Sequence, residues 1–354
     1  MMLHRISKLR SVLQQRNLES ILIVKPENRR YISGFTGTHG YVLITMDQAI
    51  FITDSRYIAQ ASKQCIDYDI LEHNYEHNIY SIINKFKLKN MGFEDEFITY
   101  DQYLEFENYF NTMTLVPIKG MMNDLRIIKD EKEIQSIKKA ASIADQAFTH
   151  ICSYVKPEMT EHEVALELEF FMKKKGASSL SFDTIVASGT RSSLPHGVAS
   201  SKKIEQGNLI TIDFGCVYEG YCSDMTRTIV LGKANAKQKE IYNIVLEAQE
   251  NALAAIKPGI KGLDVDQIAR EIITARGYGE NFGHGLGHGV GLEIHEQPTL
   301  SPKGNIILQS GMVVTDEPGI YIPNFGGVRI EDLILVTETG NEILSKSPKK
   351  LIEL

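Results

Sequence analysis

Residues 209–230 read LITIDFGCVYEGYCSDMTRTIV. Two β-rich runs flank Tyr218-Glu219-Gly220, the pattern of an antiparallel hairpin. Side chains alternate along a strand, so Asp213 shares a face with Thr211 while Ile210, Ile212 and Phe214 take the apolar face. Asp224 stands on the returning run with Cys222 and Thr226. Pairing across the turn can bring the two carboxylates together, and they repel unless a proton or a cation lies between them. On its own, such a hairpin would more simply carry two solvent-facing acids.

Three further stretches change that reading. Residues 282–299, FGHGLGHGVGLEIHEQPT, place His284, His288 and His295 among glycines that let backbone and ligand approach closely. The glycine spacing does not give G-x-G-x-x-G, and His295-Glu296 is not followed by the second histidine of H-E-x-x-H. Residues 313–321, VVTDEPGIY, set Glu317 before Pro318-Gly319, where a strand must end. Residues 327–336, GVRIEDLILV, put Arg329 and Glu331 two apart and so on one strand face. Asp316 and Asp332 neighbour these glutamates, and spacing does not say which member of each acidic pair faces inward.

Four carboxylates and one or more histidines from separated stretches would repel strongly in one pocket, and two divalent cations balance them. An oxygen-rich set with a single imidazole suits Mn, Co or Zn and is not a closed structural zinc site. Two metals about 3.5–4 Å apart can share a hydroxide that is ionised near neutral pH.

The rest of the chain frames this site. Its 354 residues favour about two domains. Leu3, Ile6, Leu9 and Leu13 mark an amphipathic helix. Strands are expected at Ile21–Val24, Tyr41–Thr45, Ala49–Thr53 and Thr114–Ile118, with helices near Arg56–Gln64, Ile79–Lys87 and Tyr100–Phe110. That is an α/β N-terminal domain with a mixed sheet, over residues 1–122. From 125 to 354 an α+β domain is expected. Its helices are Lys129–Val155, one started by a Thr160/Glu163 capping box, one at 236–256, and one at 264–276 started by Asp264. Its strands are Asp183–Ser188, Leu209–Phe214, Val217–Val230, Met312–Thr315 and Val328–Val336.

Lys plus Arg total 38 against 45 Asp plus Glu, and no basic block occurs, which argues against a general nucleic-acid binder. No apolar run is long enough to cross a bilayer, and no apolar signal segment follows the first basic residues, so a cytoplasmic protein without membrane contact is expected. The four cysteines are too sparse for a disulfide framework.

These motifs resemble the pita-bread (creatinase/aminopeptidase-like) metallopeptidases, in the Xaa-Pro branch of prolidase and aminopeptidase P. NRRYISGFTGT (28–38) and FITDSRYIAQA (51–61) resemble that branch's non-catalytic domain, and LRIIKDEKEIQSIKKA (125–140) resembles the start of its catalytic domain. The resemblance implies Asp213, Asp224, His288, Glu317 and Glu331 as ligands of two divalent ions, manganese first, with cobalt or zinc as alternatives. It implies His196 (in LPHG), His284 and His295 as substrate contacts, Arg329 as a brace for the carboxylates, and Glu317 as proton shuttle. The implied reaction is hydrolysis of the Xaa-Pro bond at the N-terminus of proline-containing peptides by a metal-bridging hydroxide, in a homodimer.

Several prolidases of this branch carry an arginine after H-E-x-P that pairs with the proline carboxylate. Thr299 stands there, which favours longer peptides over a strict Xaa-Pro dipeptidase, unless His39 of a partner subunit supplies the cation. A non-catalytic peptide-binding relative would be expected to lose ligands, and a metal-free creatinase-type hydrolase lacks the carboxylates.

Overall fold

The computed structural model describes residues 2–354. The chain divides into two compact units, Met1–Arg126 and Ile127–Leu354. The first is built on a six-stranded mixed sheet in the order Asp69–Glu72, Ala49–Thr53, Tyr41–Thr45, Ser20–Ile23, Asn90–Phe93, Thr114–Pro117. The three central strands run antiparallel to their neighbours among themselves, and the outer pairings are parallel. The sheet contains two strands beyond those expected, at 69–72 and 90–93, and a helix at Pro26–Ser33 is also additional. Asp69–Glu72 lies at the sheet edge and is only partly buried, so its sequence lacks the apolar run of a central strand. The short helix Met121–Arg126 belongs to this unit: Tyr31 Oη donates to Leu125 O at 2.8 Å, and Arg126 donates to Asn28 at 2.7 Å.

The second unit has four long helices, Glu131–Tyr154, Glu161–Lys174, Ala236–Ala255 and Gly262–Ala275. The first three begin at capping boxes formed by Asp130/Glu133, Thr160/Glu163 and Asn235/Gln238. The fourth differs from the expectation. It starts two residues before Asp264, without a side-chain cap, because its first N–H groups are taken by backbone carbonyls, Gly262 N donating to Ile306 O (3.2 Å) and Leu263 N to Gly304 O (2.8 Å). Backbone contact, which a propensity argument does not see, sets that start.

Two principal sheets carry the functional stretches. One is three-stranded, Met225–Val230, Leu209–Phe214, Ile185–Ser188, all antiparallel. The other is five-stranded, Glu296–Leu300, Gly287–Gly289, Val313–Asp316, Asp332–Val336, Asn341–Ile343. Apolar cores cover both, one built around Phe148, Leu168, Ile212 and Phe214, the other around Tyr242, Val245, Val314 and Ile334. The four cysteines are free thiols. No helix among the described residues is long and apolar enough to cross a membrane.

The expected continuous strand 217–230 is interrupted. Cys216–Tyr218 and Tyr221–Cys222 form a small hairpin whose turn residues Glu219 and Gly220 both have positive φ, 47° and 84°, as a two-residue type I′ turn requires. The main strand resumes only at Met225. Gly215 makes the crossing possible, since a Cβ there would lie 1.9 Å from Ser223 O. The expected strand 328–336 also divides, into Gly326–Arg329 and Asp332–Val336, which belong to different sheets.

Arg227, 1% exposed, ties these pieces together. Its guanidinium donates to Thr226 O (2.9 Å), Ser347 O (2.8 Å), Pro348 O (3.1 Å), Asp332 Oδ1 (2.7 Å) and Glu331 O. Removing one member of a buried charged pair costs about 3–5 kcal/mol. Arg227→Met should therefore lower the denaturant stability of the 127–354 unit by about that amount, read from its chemical unfolding transition; a loss below about 1 kcal/mol would show that the pair is not a main support.

Candidate active site

Asp213 lies next to last in its strand, paired with Thr226, while Asp224 sits in the break just before Met225. The hairpin therefore delivers both acids to one cavity of about 490 Å³. His288 lies on the short strand Gly287–Gly289, where Gly287 is needed because a Cβ would meet Thr315 O at 2.1 Å. Glu317 follows the strand Val313–Asp316, and Glu331 lies between Arg329 and the strand Asp332–Val336. All five side chains line the cavity, as do His196, His284, His295, Thr299 and Arg329.

The acidic pairs, ambiguous by spacing, separate cleanly. Glu317 and Glu331 face the cavity, while Asp316 and Asp332 are paired across their strands on the far side. There Lys349 Nζ lies 2.8 Å from Asp332, and Gln249 Nε2 donates to Asp316 and Asp332 at 3.2 and 3.1 Å. Burial, then the neighbouring Asp332 charge, pushes Asp316 well above the usual carboxylate range.

Within the cavity His288 sets the geometry. Its Nδ1 lies 3.0 Å from Gly289 O, which assigns the proton to that nitrogen and turns Nε2 toward the acids. Nε2 lies 3.3 Å from Glu317 Oε1 and 3.6 Å from Asp224 Oδ2. Asp224, His288 and Glu331 each offer one atom to a cluster whose members all lie within 4.8 Å of one another. Two threonines hold the glutamates: Thr226 Oγ1 donates to Glu331 Oε2 at 2.6 Å, and Thr315 Oγ1 to Glu317 Oε1 at 3.0 Å.

Arg329, buried at 3% exposure, is the single Arg or Lys among the lining residues. It donates to Asp213 Oδ2 (2.6 Å), Thr226 Oγ1 (3.0 Å), Tyr321 Oη (2.8 Å) and Pro195 O (3.1 Å). It thus reaches both an acid and the loop that carries His196. The proton direction then continues from Tyr321 Oη to His284 Nε2 (2.9 Å), and from His284 Nδ1 to Gly285 O (2.8 Å). This chain fixes His284 as a neutral imidazole, in keeping with burial that lowers its pKa. The His295 ring packs edge-on against His288 with centroids 4.3 Å apart.

The charge balance favours cations. Burial first, then the charges of Glu331, Asp213 and Glu317, raises Asp224 well above its ordinary pKa. Burial and the charges of Glu317 and Asp213 do the same to Glu331. Asp213 is also raised by burial, with Arg329 opposing. Glu317 goes the other way: burial pushes it up, but its hydrogen bond with His288, the His288 charge and Arg329 outweigh that and bring it down to about 2. Asp213 Oδ1 is buried without a hydrogen-bond partner. An orphaned carboxylate oxygen beside three more acids and one inward-turned imidazole nitrogen fits hard or borderline divalent metal.

Several supporting residues were not singled out from the sequence. Thr226 could have been, because it shares the strand face of Asp224. Thr315 and Tyr321 lie inside the quoted stretches but carry no spacing signal. Glu161 is fully buried and clamps the base of the His196 loop, accepting from Ser188 N (2.8 Å), Ser200 N (3.1 Å), Ser200 Oγ (2.6 Å) and Arg191. It doubles as the first residue of a capped helix, which disguises it in the sequence.

Comparison with known proteins agrees with this architecture. The description of metallopeptidase family M24 matches residues 135–338, and that of the Creatinase/Prolidase N-terminal domain matches residues 5–128. The chain is 43% identical to the Xaa-Pro dipeptidase of Pyrococcus furiosus over 353 residues, 99% of this chain and 100% of the relative. It superposes on the Xaa-Pro dipeptidase from Bacillus anthracis with a TM-score of 0.97 at 50% identity, covering 100% of both chains. It superposes on an X-Pro aminopeptidase from Thermotoga maritima with a TM-score of 0.90 at 40% identity, covering 96% of this chain and 98% of the other. With fold and sequence in agreement along its length, the chain belongs to metallopeptidase family M24 and joins a creatinase/prolidase-type N-terminal domain to a pita-bread catalytic domain.

Proposed function

We propose that this metallo-exopeptidase hydrolyses the bond between an N-terminal residue and a following proline, using two divalent ions held by Asp213, Asp224, His288, Glu317 and Glu331. The observation that carries this reading is the convergence of those five side chains on one cavity. The relatives named as Xaa-Pro dipeptidases and X-Pro aminopeptidase support the choice of bond. The oxygen-rich donor set with one imidazole supports manganese over a thiolate-seeking metal.

When bound, the ions supply Lewis acidity at the scissile carbonyl and an ionised water as nucleophile. The protein does the rest. His288 presents Nε2 because Gly289 O holds Nδ1–H. Thr226 and Arg329 keep Glu331 and Asp213 from turning away from the cavity. A prolyl amide carries no N–H for the protein to grip, and like that of any amide its nitrogen must gain a proton when the C–N bond breaks. Glu317, ionised near neutral pH, accepts from Thr315 Oγ1 on Oε1, which leaves Oε2 to take a proton from the attacking water and pass it to that nitrogen. His196 and His295 flank the cavity as donors to the oxyanion, while both nitrogens of His284 are engaged in orienting Tyr321 and Gly285.

The lining favours substrates longer than a dipeptide. A dipeptide's C-terminal carboxylate would need a cation near Thr299, and the one arginine in the cavity is already bonded to Asp213. Thr299 Oγ1 instead accepts from Ser301 at 3.4 Å. The names of the Pyrococcus and Bacillus relatives favour a second reading, a strict Xaa-Pro dipeptidase.

Asp213→Asn and Glu331→Gln should each lower bound metal and reduce turnover by more than about 100-fold while circular dichroism stays native. Wild-type turnover in either variant with manganese supplied would remove that residue from the ligand set. With manganese present, Xaa-Pro-Xaa tripeptides should be cleaved faster than Xaa-Pro dipeptides, and the reverse order would establish the dipeptidase reading.

The raised pKa values of Asp224 and Glu331 also set a pH dependence. A carboxyl raised on folding contributes stability below its unfolded value and loses it as the pH climbs through the folded value. Metal binding displaces those protons. The gap in thermal midpoint between manganese-loaded and chelator-treated protein should therefore widen from about pH 5 to about pH 8. A gap that narrows over that range would contradict the assignment.

A further inference from the structure

The first unit carries a separate convergence of metal-type donors. His39 precedes the strand Tyr41–Thr45, Asp54 follows Ala49–Thr53, and His73 follows Asp69–Glu72. The first pair of strands is antiparallel and the second parallel, so all three residues fall at the same end of the sheet. Thr53 fixes two of them: its Oγ1 donates to His39 O, and its O accepts from His73 N, both at 2.9 Å. The two imidazoles then lie with centroids 5.2 Å apart, and Tyr41 packs edge-on to them at 5.5 and 6.0 Å. One donor atom from each of His39, Asp54 and His73 lies within 4.8 Å of the others.

Simple packing does not account for the ring nitrogens. His39 Nδ1 and His73 Nε2 are both shielded from solvent and have no hydrogen-bond partner. His39 Nδ1 stands 3.2 Å from Asp54 Oδ2, close enough for an ion pair but without the alignment of a hydrogen bond. Buried polar nitrogens are ordinarily matched, and one cation that takes a lone pair from each ring together with the Asp54 carboxylate would match both. Arg56 also binds Asp54, at 2.9 and 2.8 Å, but its side chain is 70% exposed and each carboxylate oxygen has a further lone pair. Asp213 with Arg329 presents the same combination in the catalytic cavity.

We propose that His39, Asp54 and His73 form a second cation site, selective for a nitrogen-preferring divalent ion of the zinc, nickel or cobalt type. Two neutral imidazoles and one carboxylate already paired with arginine bring little net negative charge. That disfavours magnesium or calcium, which rely on several oxygens. Three protein ligands leave a fourth position for water or another donor. A bound ion would join the ends of three strands at the sheet edge. The proposal does not rest on the catalytic reading, because its donors all come from residues 39–73.

The test counts zinc on the full-length protein after equilibrium dialysis. Wild type should retain about one equivalent more than His73→Ala, and the same difference should persist between Glu331→Gln and the His73→Ala/Glu331→Gln double variant. Asp54→Asn, a near-isosteric change, should also lose that equivalent while keeping native circular dichroism, which separates ligand loss from misfolding. Cobalt added to Glu331→Gln should give a visible absorption band that His73→Ala abolishes. Equal zinc content in wild type, His73→Ala and Asp54→Asn would overturn the proposal whatever happens at the catalytic cavity.

Discussion

Four carboxylates crowd the inner wall of one half-open cavity against a single arginine and an inward-turned histidine, and the second unit is organised around holding them there. Burial alone would drive these acids to take up protons or move apart. Without a cation Asp224 and Glu331 take the first route, their pKa values raised well above the carboxylate range; the second is blocked. Thr226, Thr315 and Arg329 each fix an acid by a short bond, and the strands behind them are fully buried. Glycine at 215 and 287 lets the backbones approach closely enough for residues on different strands to meet. Acids held this way suit a divalent cation, which displaces their protons when it binds.

A second layer of charge lies behind the first. Asp316 and Asp332 share strands with the residues beside Glu317 and Glu331 but point away, toward Arg227, Lys349 and Gln249. Arg227 also accounts for carbonyls of the chain near residues 347 and 348, so the C-terminal stretch is fastened to the back of the site. Adjacent acids thus do opposite work: one of each pair faces the cavity, and the other anchors the strand that aims it.

Much of this was legible in the sequence. Alternation along residues 209–214 placed Asp213 opposite the apolar face, and the Glu219-Gly220 turn followed from its residue types. The choice within each acidic pair was not legible, because adjacent carboxylates are chemically alike and alternation fixes their relative, not absolute, orientation. The breaks at Asp224 and at Ile330-Glu331 were also hidden, since they arise where two sheets meet and not from a local breaker. The start of the helix at Gly262 and the clamp of Glu161 on the His196 loop depend on contacts between distant segments. The strand Asp69–Glu72 was missed because an edge position tolerates charged residues.

The direct measurement of the central claim is anomalous diffraction from crystals of the wild-type protein loaded with manganese. The account predicts two peaks in the cavity, both within bonding distance of carboxylates from the set Asp213, Asp224, Glu317 and Glu331, with His288 on only one of them. No peak among those five side chains, or a lone ion elsewhere in the cavity, would contradict it.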